Sequence, residues 1–371
     1  MKVIAFYLPQ FHEIPENNKW WGEGFTEWVN VRKSKPLFEG HRQPRVPLNE
    51  NYYDLSDINV IKWQTEIAKK YGIYGFCFYH YWFNGHLLLE KPVENFLHER
   101  SIDMPFCICW ANEHWTNGWV SSENKVLIEQ SYGQEAEWKE HYDYLKQFLQ
   151  DSRYIKIDNK PLIVIYRPDI IDCISDMISC WKKLAIADGF DGLVFAYQSP
   201  SYDLINPDSA IDFDYDIEYQ PGYARAFMND STPSFIRKSY RNMLKIAYKL
   251  KIGISQPKRI KFYDYNQVWN YIIKSPPISN KSVPCAFVDW DNTPRRGESG
   301  VVFTGMNPET FGYYFKLLVQ KGKEQYHKDF MFIFAWNEWA EGGYLEPDEE
   351  NGFRNLEEIK NALLNLNEFP D

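Results

Sequence analysis

The stretch Phe330-Met331-Phe332-Ile333-Phe334-Ala335-Trp336-Asn337-Glu338-Trp339-Ala340-Glu341-Gly342 runs from apolar residues into two carboxylates three positions apart. Its apolar part is long enough for one buried strand, and Gly342-Gly343 signals the turn that ends it. Carboxylates at the exit of a buried strand, flanked by indole rings, point to acid/base chemistry on a sugar.

Outward from this stretch, short apolar runs alternate with helical patterns. Strands are predicted at Val3 to Tyr7, Gly75 to Tyr79, Phe106 to Trp110, Leu162 to Tyr166, Leu193 to Tyr197, Phe213 to Tyr219, Cys285 to Trp290 and Met331 to Trp336. Helices are predicted at Ile58 to Tyr71, Pro92 to Glu99, Glu135 to Leu149, Asp172 to Ala187, Tyr265 to Ile273, Pro308 to Lys321 and about Asn355 to Leu366. Such strand–helix units fit an α/β protein, a (β/α)8 TIM barrel filling residues 1–371 as a single domain with elaborated loops at its C-terminal face. A doubly wound sheet is the competing arrangement. The connection from Leu8 to Asp54 is long and rich in Trp, Pro and Gly, which predicts a wall or lid of a pocket. Residues 231–261 hold nine Lys and Arg and no acid. Arg237, Arg241, Lys245 and Lys249 recur at helical spacing, which marks a basic helical insertion: a solvated face, or a peripheral contact with an anionic membrane or polysaccharide.

The bulk numbers exclude several classes of function. A net charge of −10 argues against nucleic-acid binding. No apolar window of about 18 residues predicts a transmembrane helix. Met1 to Tyr7 is too short for a signal h-region and reads as a first strand. Six cysteines without a Cys-x-x-Cys pair suit reduced, mostly buried thiols and a cytoplasmic location. With 14 Trp, 26 Tyr and 25 Phe the chain holds more rings than a core alone needs. Most must pack inside, and the remainder suit the apolar C–H faces of sugars.

On a barrel, the C-terminal strand ends hold the site. Reading those ends in turn selects Tyr7, Gln10 and His12; His80, Tyr81, Trp82 and Asn84; Trp110, Asn112 and Glu113; Tyr166; Tyr219; Asp289, Asp291, Asn292 and Arg295; and Trp336 and Asn337 as substrate-binding candidates. Glu338 and Glu341 are the candidate catalytic pair. One acid protonates a leaving oxygen while the other serves as base or nucleophile, and repulsion between them separates their pKa values. Glu113 has two readings, a further site carboxylate or an ion-pair partner of Arg295 or Arg296. The histidines at three strand ends lack metal-ligand spacing, so no metal and no cofactor are expected. Asp-x-Asp pairs in Asp212 to Asp216 and at Asp289 to Asp291 are the kind that hold a divalent metal on a nucleotide sugar, although acidic chains produce them by chance.

Several motifs together resemble a known family: Ala5-Phe6-Tyr7-Leu8-Pro9-Gln10-Phe11-His12, Gly24-Phe25-Thr26-Glu27-Trp28, Tyr79-His80-Tyr81-Trp82-Phe83-Asn84-Gly85, Trp110-Ala111-Asn112-Glu113, Asp291-Asn292-Thr293-Pro294-Arg295-Arg296 and Trp336-Asn337-Glu338-Trp339-Ala340-Glu341-Gly342. They look like the WbsX-type, glycoside hydrolase family 99-like proteins of bacterial surface-polysaccharide loci, often labelled glycosyltransferases. The resemblance covers nearly the whole chain and adds Trp28 to the substrate-binding candidates. It implies a (β/α)8 barrel and a retaining, endo-type α-mannosidase-like reaction that needs no metal. In that reaction Glu338 would deprotonate the sugar 2-hydroxyl, whose oxygen closes on C1 as a 1,2-anhydro sugar. Glu341 would protonate the leaving group and then activate water. Where such relatives carry two arginines after the Trp-Thr pair, this chain has Asn117-Gly118, so substrate contacts are expected to differ. A glycosyltransferase of O-antigen, capsule or lipopolysaccharide assembly, and a non-catalytic glycan-binding barrel, are the alternatives.

Overall fold

A computed structural model describes residues 1–117, 125–198, 212–228, 243 and 259–370. Nearly all of the basic 231–261 insertion lies outside the described residues, and so does Gly118.

The expected barrel is present. Parallel strands β1 (Lys2–Tyr7), β2 (Ile73–Phe83), β3 (Phe106–Trp110), β4 (Lys160–Ile165), β5 (Val194–Gln198) and β6 (Tyr215–Ile217) pair in chain order. The seventh strand, β7, comes in two pieces split by Pro284. Ser282–Val283 pairs with β6, and Cys285–Phe287 pairs with β8 (Phe330–Phe334). Pro284 has no N–H to donate, but its carbonyl accepts the Phe332 N–H at 3.0 Å, so the ladder carries on across it. Lys2 to Ala5 then pair with Phe330 to Ile333, which joins β8 to β1 and closes the ring. The architecture is a (β/α)8 barrel, and sequential parallel pairing rules out the doubly wound order.

Helices cover the outside. Ile58–Lys70 follows β1, Lys91–His98 follows β2, Glu135–Leu149 follows β3 and Ile174–Ala187 follows β4. Tyr265–Lys274 precedes β7, and Pro308–Glu324 and Arg354–Asn365 flank β8. Side-chain caps fix several starts: Asp57 accepts from Asn59 N, Asp264 from Gln267 N, and Asn307 from Thr310 N. No described helix is long and apolar enough to cross a membrane. The six cysteines are free, and those at 77, 107, 109 and 285 are buried.

One boundary differs in a way that matters. β2 was expected to stop at Tyr79, but it runs on to Phe83 and folds back in a hairpin, Phe83 pairing with His86 and Tyr81 with Leu88. Asn84 (φ 48°) and Gly85 (φ 91°) supply the positive φ values that a two-residue turn needs.

Strand alternation decides what enters the barrel. The Phe6 ring meets Tyr79 at 5.7 Å, Phe332 at 5.2 Å and Tyr219 at 5.4 Å, contacts that cross from β1 to β2, β8 and the exit of β6. Phe6 and Tyr79 therefore face inward, and their neighbours Tyr7 and His80 face the helices. The Phe334–Ala335 peptide is cis. Beyond it the alternation of β8 is broken: Trp336 packs on Phe76 in the helix-facing layer at 5.2 Å, while Glu338 belongs to the mouth.

Candidate active site

Glu338 and Glu341 meet on one guanidinium. Arg295 Nη2 donates to Glu338 Oε2 at 3.1 Å, and Nη1 lies 2.8 Å from Glu341 Oε1. The third edge, Nε, donates to Glu27 Oε1 at 2.8 Å. Glu338 and Arg295 are buried, whereas the Glu341 side chain keeps 22% of its surface. The two acids thus share a cation but differ in solvent access.

Neighbouring backbone fixes each of these side chains. Asn337 and Glu338 form a short antiparallel pair with Gly343–Tyr344, and Asn337 is clasped to Leu8 at the end of β1. The Glu341 carbonyl accepts Asp291 N–H at 2.8 Å. A side chain at Gly342 would meet that same nitrogen at 2.8 Å, and its φ of 72° also favours glycine. Arg295 sits on the short helix Thr293–Arg296. Asp291 Oδ1 anchors that helix by accepting both the N–H and the hydroxyl of Thr293. Glu27 starts the helix Glu27–Lys33 in the long first connection, and its N–H donates to the Gln10 carbonyl at 2.9 Å. The long first connection thus reaches the acid pair through Glu27.

Burial pushes the Glu338 carboxyl up to about 8. Arg295 pulls it down, while Glu341 and Glu27 push it further up. With all three carboxylates ionised the cluster carries −3 against the single +1 of Arg295, a net −2, so one proton on Glu338 relieves both repulsion and desolvation. Tyr79, Tyr81 and Tyr219 also feel the Glu338 charge and complete the mouth. Tyr79 and Tyr219 hydroxyls are 3.1 Å apart, Gln198 donates to Tyr79 at 3.2 Å, and Tyr166 packs edge-on to Tyr79.

Many of the expected binding residues have partners within the protein. Tyr7 is fully buried, donating to Gln64 at 2.6 Å. His80 Nε2 lies 2.9 Å from His141 Nε2, and burial lowers the His80 pKa to about 3. Trp82 stacks on His141, and the Trp110 indole donates to the Trp82 carbonyl. Asn84 is a turn residue. Asn112 accepts from Arg167 N and donates to Arg167 O, both at 2.7 Å. His12 Nδ1 bonds the Pro9 carbonyl. The Trp28 indole donates to Tyr53 O, and Asn292 accepts from Val301 N. Gln10 is buried and helps seat Glu27 through its carbonyl.

Three assignments change. Glu113 pairs with Arg167 at 2.6 Å, because Arg295 is taken up by the acid cluster. Asp289 is held by Arg45 at 2.7 Å. Asp291 Oδ2 takes His41 Nε2 and the Gln43 amide while Oδ1 holds Thr293, so the Asp-x-Asp pair braces the wall. Among the described residues, no three His, Cys, Asp or Glu side chains are grouped to hold a metal.

Sequence reading missed Glu346, Glu27 and Tyr79. Glu346 is buried and accepts four donors: Trp336 Nε1 (3.1 Å) and Gln64 Nε2 (2.7 Å) on Oε1, Trp339 Nε1 (2.6 Å) and Tyr53 OH (2.7 Å) on Oε2. Burial pushes it up to about 7 against those bonds. It ties down both indoles flanking Glu338. Strand parity was the available signal for Tyr79, which shares a face with Tyr81.

The family described as "Glycosyltransferase WbsX" matches residues 3–359. Two proteins called WxcX, both uncharacterised, from Xanthomonas campestris pv. campestris strains B100 and ATCC 33913, are 33% identical over 364 residues. That is 97% of this chain but 49% of theirs, so the chain spans about half the length of these relatives. Among solved structures, the GH99 endo-alpha-mannosidase from Bacteroides thetaiotaomicron superposes with a TM-score of 0.57 at 12% identity, covering 98% of this chain and 97% of that one. A "glycoside hydrolase-like protein" superposes at 0.58 and 12% identity, covering 97% and 93%. At such identities the likeness is one of fold. The match over residues 3–359 means that the chain belongs to the WbsX family of carbohydrate-active proteins.

Proposed function

We propose that the chain forms or remodels a glycosidic bond of a bacterial surface polysaccharide, with Glu338 and Glu341 carrying the chemistry and transfer to an acceptor as the net reaction. The family's own description supports transfer over hydrolysis. The observation that carries the two-acid chemistry is Arg295 bridging a buried Glu338 and a half-open Glu341. Two acids in unequal surroundings take unequal roles.

For a manno-configured donor, the axial 2-hydroxyl lies anti to the leaving group. Glu338 takes the 2-hydroxyl proton while that oxygen bonds to C1. The bond from C1 to the leaving oxygen breaks as Glu341 gives that oxygen its proton. In the return step an acceptor hydroxyl adds to C1 and gives its proton to Glu341, the C1–O2 bond of the anhydro sugar breaks, and Glu338 returns the proton to the freed 2-oxygen. The reacting form is the one in which the cluster's proton sits on Glu341 and Glu338 is ionised, and burial that raises the proton affinity of Glu338 makes that ionised form a strong base. The second reading is a nucleotide-sugar glycosyltransferase, which the family description also favours. Asp289 and Asp291 lend it little support, being held by Arg45, His41, Gln43 and Thr293.

The test offers manno-oligosaccharides alone, then nucleotide sugars with a glycan acceptor and Mn²⁺. The proposal expects chain-length redistribution from oligosaccharides alone, lost by about 10²-fold or more in Glu338→Gln and Glu341→Gln. Turnover only with a nucleotide sugar, or full activity in both variants, sinks it.

A further inference from the structure

We propose that Glu27 is a positioning residue: it holds Arg295 by the Nε edge so that the two Nη groups reach Glu338 and Glu341 together without neutralising either. The inference rests on the reading of those two glutamates as the reacting pair, and it adds a residue from the long connection that follows β1.

Geometry carries it. The guanidinium offers a fixed fork of donors, and each of its three nitrogens here meets a different carboxylate. Glu27 is 1% exposed. Both of its hydrogen bonds fall on one oxygen, Oε1, which accepts Arg295 Nε at 2.8 Å and Asn30 Nδ2 at 3.1 Å. Its Oε2 is buried without a hydrogen-bond partner. The contrast with Glu346 is informative. There a buried carboxylate divides four donors evenly between its oxygens, as a purely architectural acid should. Glu27 keeps a buried negative oxygen unmatched, which is costly in itself and makes sense as charge set against Arg295. A guanidinium so occupied leaves less of its charge for Glu338 and Glu341.

The groups around Glu338 are Arg295, Glu341 and Glu27, with the tyrosines 79 and 81 of β2 and Tyr219 beyond β6. Among these, Glu27 is the charge that Gln replaces at equal size while keeping an acceptor for Arg295 and Asn30.

The test is a carbon-13 titration of carboxyl-labelled glutamate in the full chain, with the Glu338 signal assigned by its disappearance in Glu338→Gln. In Glu27→Gln the Glu338 midpoint should fall by about one unit or more, and the pH at which kcat/KM rises should fall with it. Glu27→Asp keeps the charge but shortens the reach. Its Glu338 midpoint should stay high while kcat drops about tenfold or more with KM little changed. An unshifted midpoint in folded Glu27→Gln overturns the proposal. So does a wild-type kcat in Glu27→Asp, which serves if the Gln variant does not fold. Full activity in Glu338→Gln would overturn the functional reading alone, since the titration reports on Glu27 regardless.

Discussion

Asn337 clasps Leu8 with both ends of its amide: Oδ1 accepts the Leu8 N–H at 2.7 Å, and Nδ2 donates to the Leu8 carbonyl at 2.9 Å. The bond pair spans the β8–β1 closure of the barrel at the position just before Glu338. Asn112 does the same for Arg167 between the exits of β3 and β4. Each asparagine stands in for a peptide group where the ladder has ended, so the mouth keeps its shape beyond the last strand residues.

Asn337→Ala should therefore act on stability first. It leaves a buried N–H and a buried carbonyl of Leu8 unpaired, at roughly 1–3 kcal/mol for each. Urea unfolding should show a lower midpoint with an unchanged m-value, and kcat should fall because Glu338 loses its seat. A variant that raises KM alone at wild-type stability would mark Asn337 as a sugar contact instead.

The Glu338 carboxyl also makes a stability prediction with a definite sign. Its folded pKa of about 8 lies above the ordinary glutamate value of 4.5, so the folded chain holds the proton more tightly. That contribution is fully present below about pH 4.5 and is lost as pH rises toward 8. Buried His80, lowered to about 3 from 6.5, acts the other way between those values. The comparison with Glu338→Gln isolates the glutamate. The variant should gain on the wild type by at most about 1.4 kcal/mol per pH unit across the window. A difference independent of pH between 4.5 and 8 contradicts this.

Fold and site were unequally legible. The ring order followed from apolar runs and helical spacing, because a buried strand and an amphipathic helix each write their period into the chain. Glu338 and Glu341 stood out because they end such a run. For Tyr7, His80, Trp82 and Trp110, adjacency to a strand end says less than strand alternation does. Counting parity from Phe6 and Tyr79 turns those four toward the helices. Glu27 and Glu346 carried no such signal. Their positions depend on how the Leu8 to Asp54 connection and the turn after β8 fold over the mouth, which no local period encodes.

Glu346→Gln should be more disruptive than its isosteric look suggests. All four partners donate, and a carboxamide can accept on only one side. Tyr53 can rotate its hydroxyl and Gln64 can flip its amide, but an indole cannot become an acceptor. Whichever way the new amide turns, Trp336 or Trp339 is left unpaired, at roughly 1–3 kcal/mol. Differential scanning calorimetry should show a lower Tm, with the tryptophan emission shifted. A Tm equal to that of the wild type would mean the carboxyl is normally protonated and already donates within the cluster.

Asp291 separates a bracing role from metal binding. Asp291→Ala removes the acceptor for Gln43, His41 and the two Thr293 donors, and so loosens the helix that carries Arg295. The expected outcome is a loss of about 2–4 kcal/mol in unfolding free energy, with a fall in kcat because Arg295 no longer spans Glu338 and Glu341. Millimolar Mn²⁺ should leave the rates of wild type and variant unchanged. A diphosphate-holding metal at Asp289 and Asp291 predicts the reverse: Mn²⁺ activates the wild type, and the variant loses that response while keeping its stability. Thermal unfolding and initial rates, each measured with Mn²⁺ and with a chelator, decide between the two.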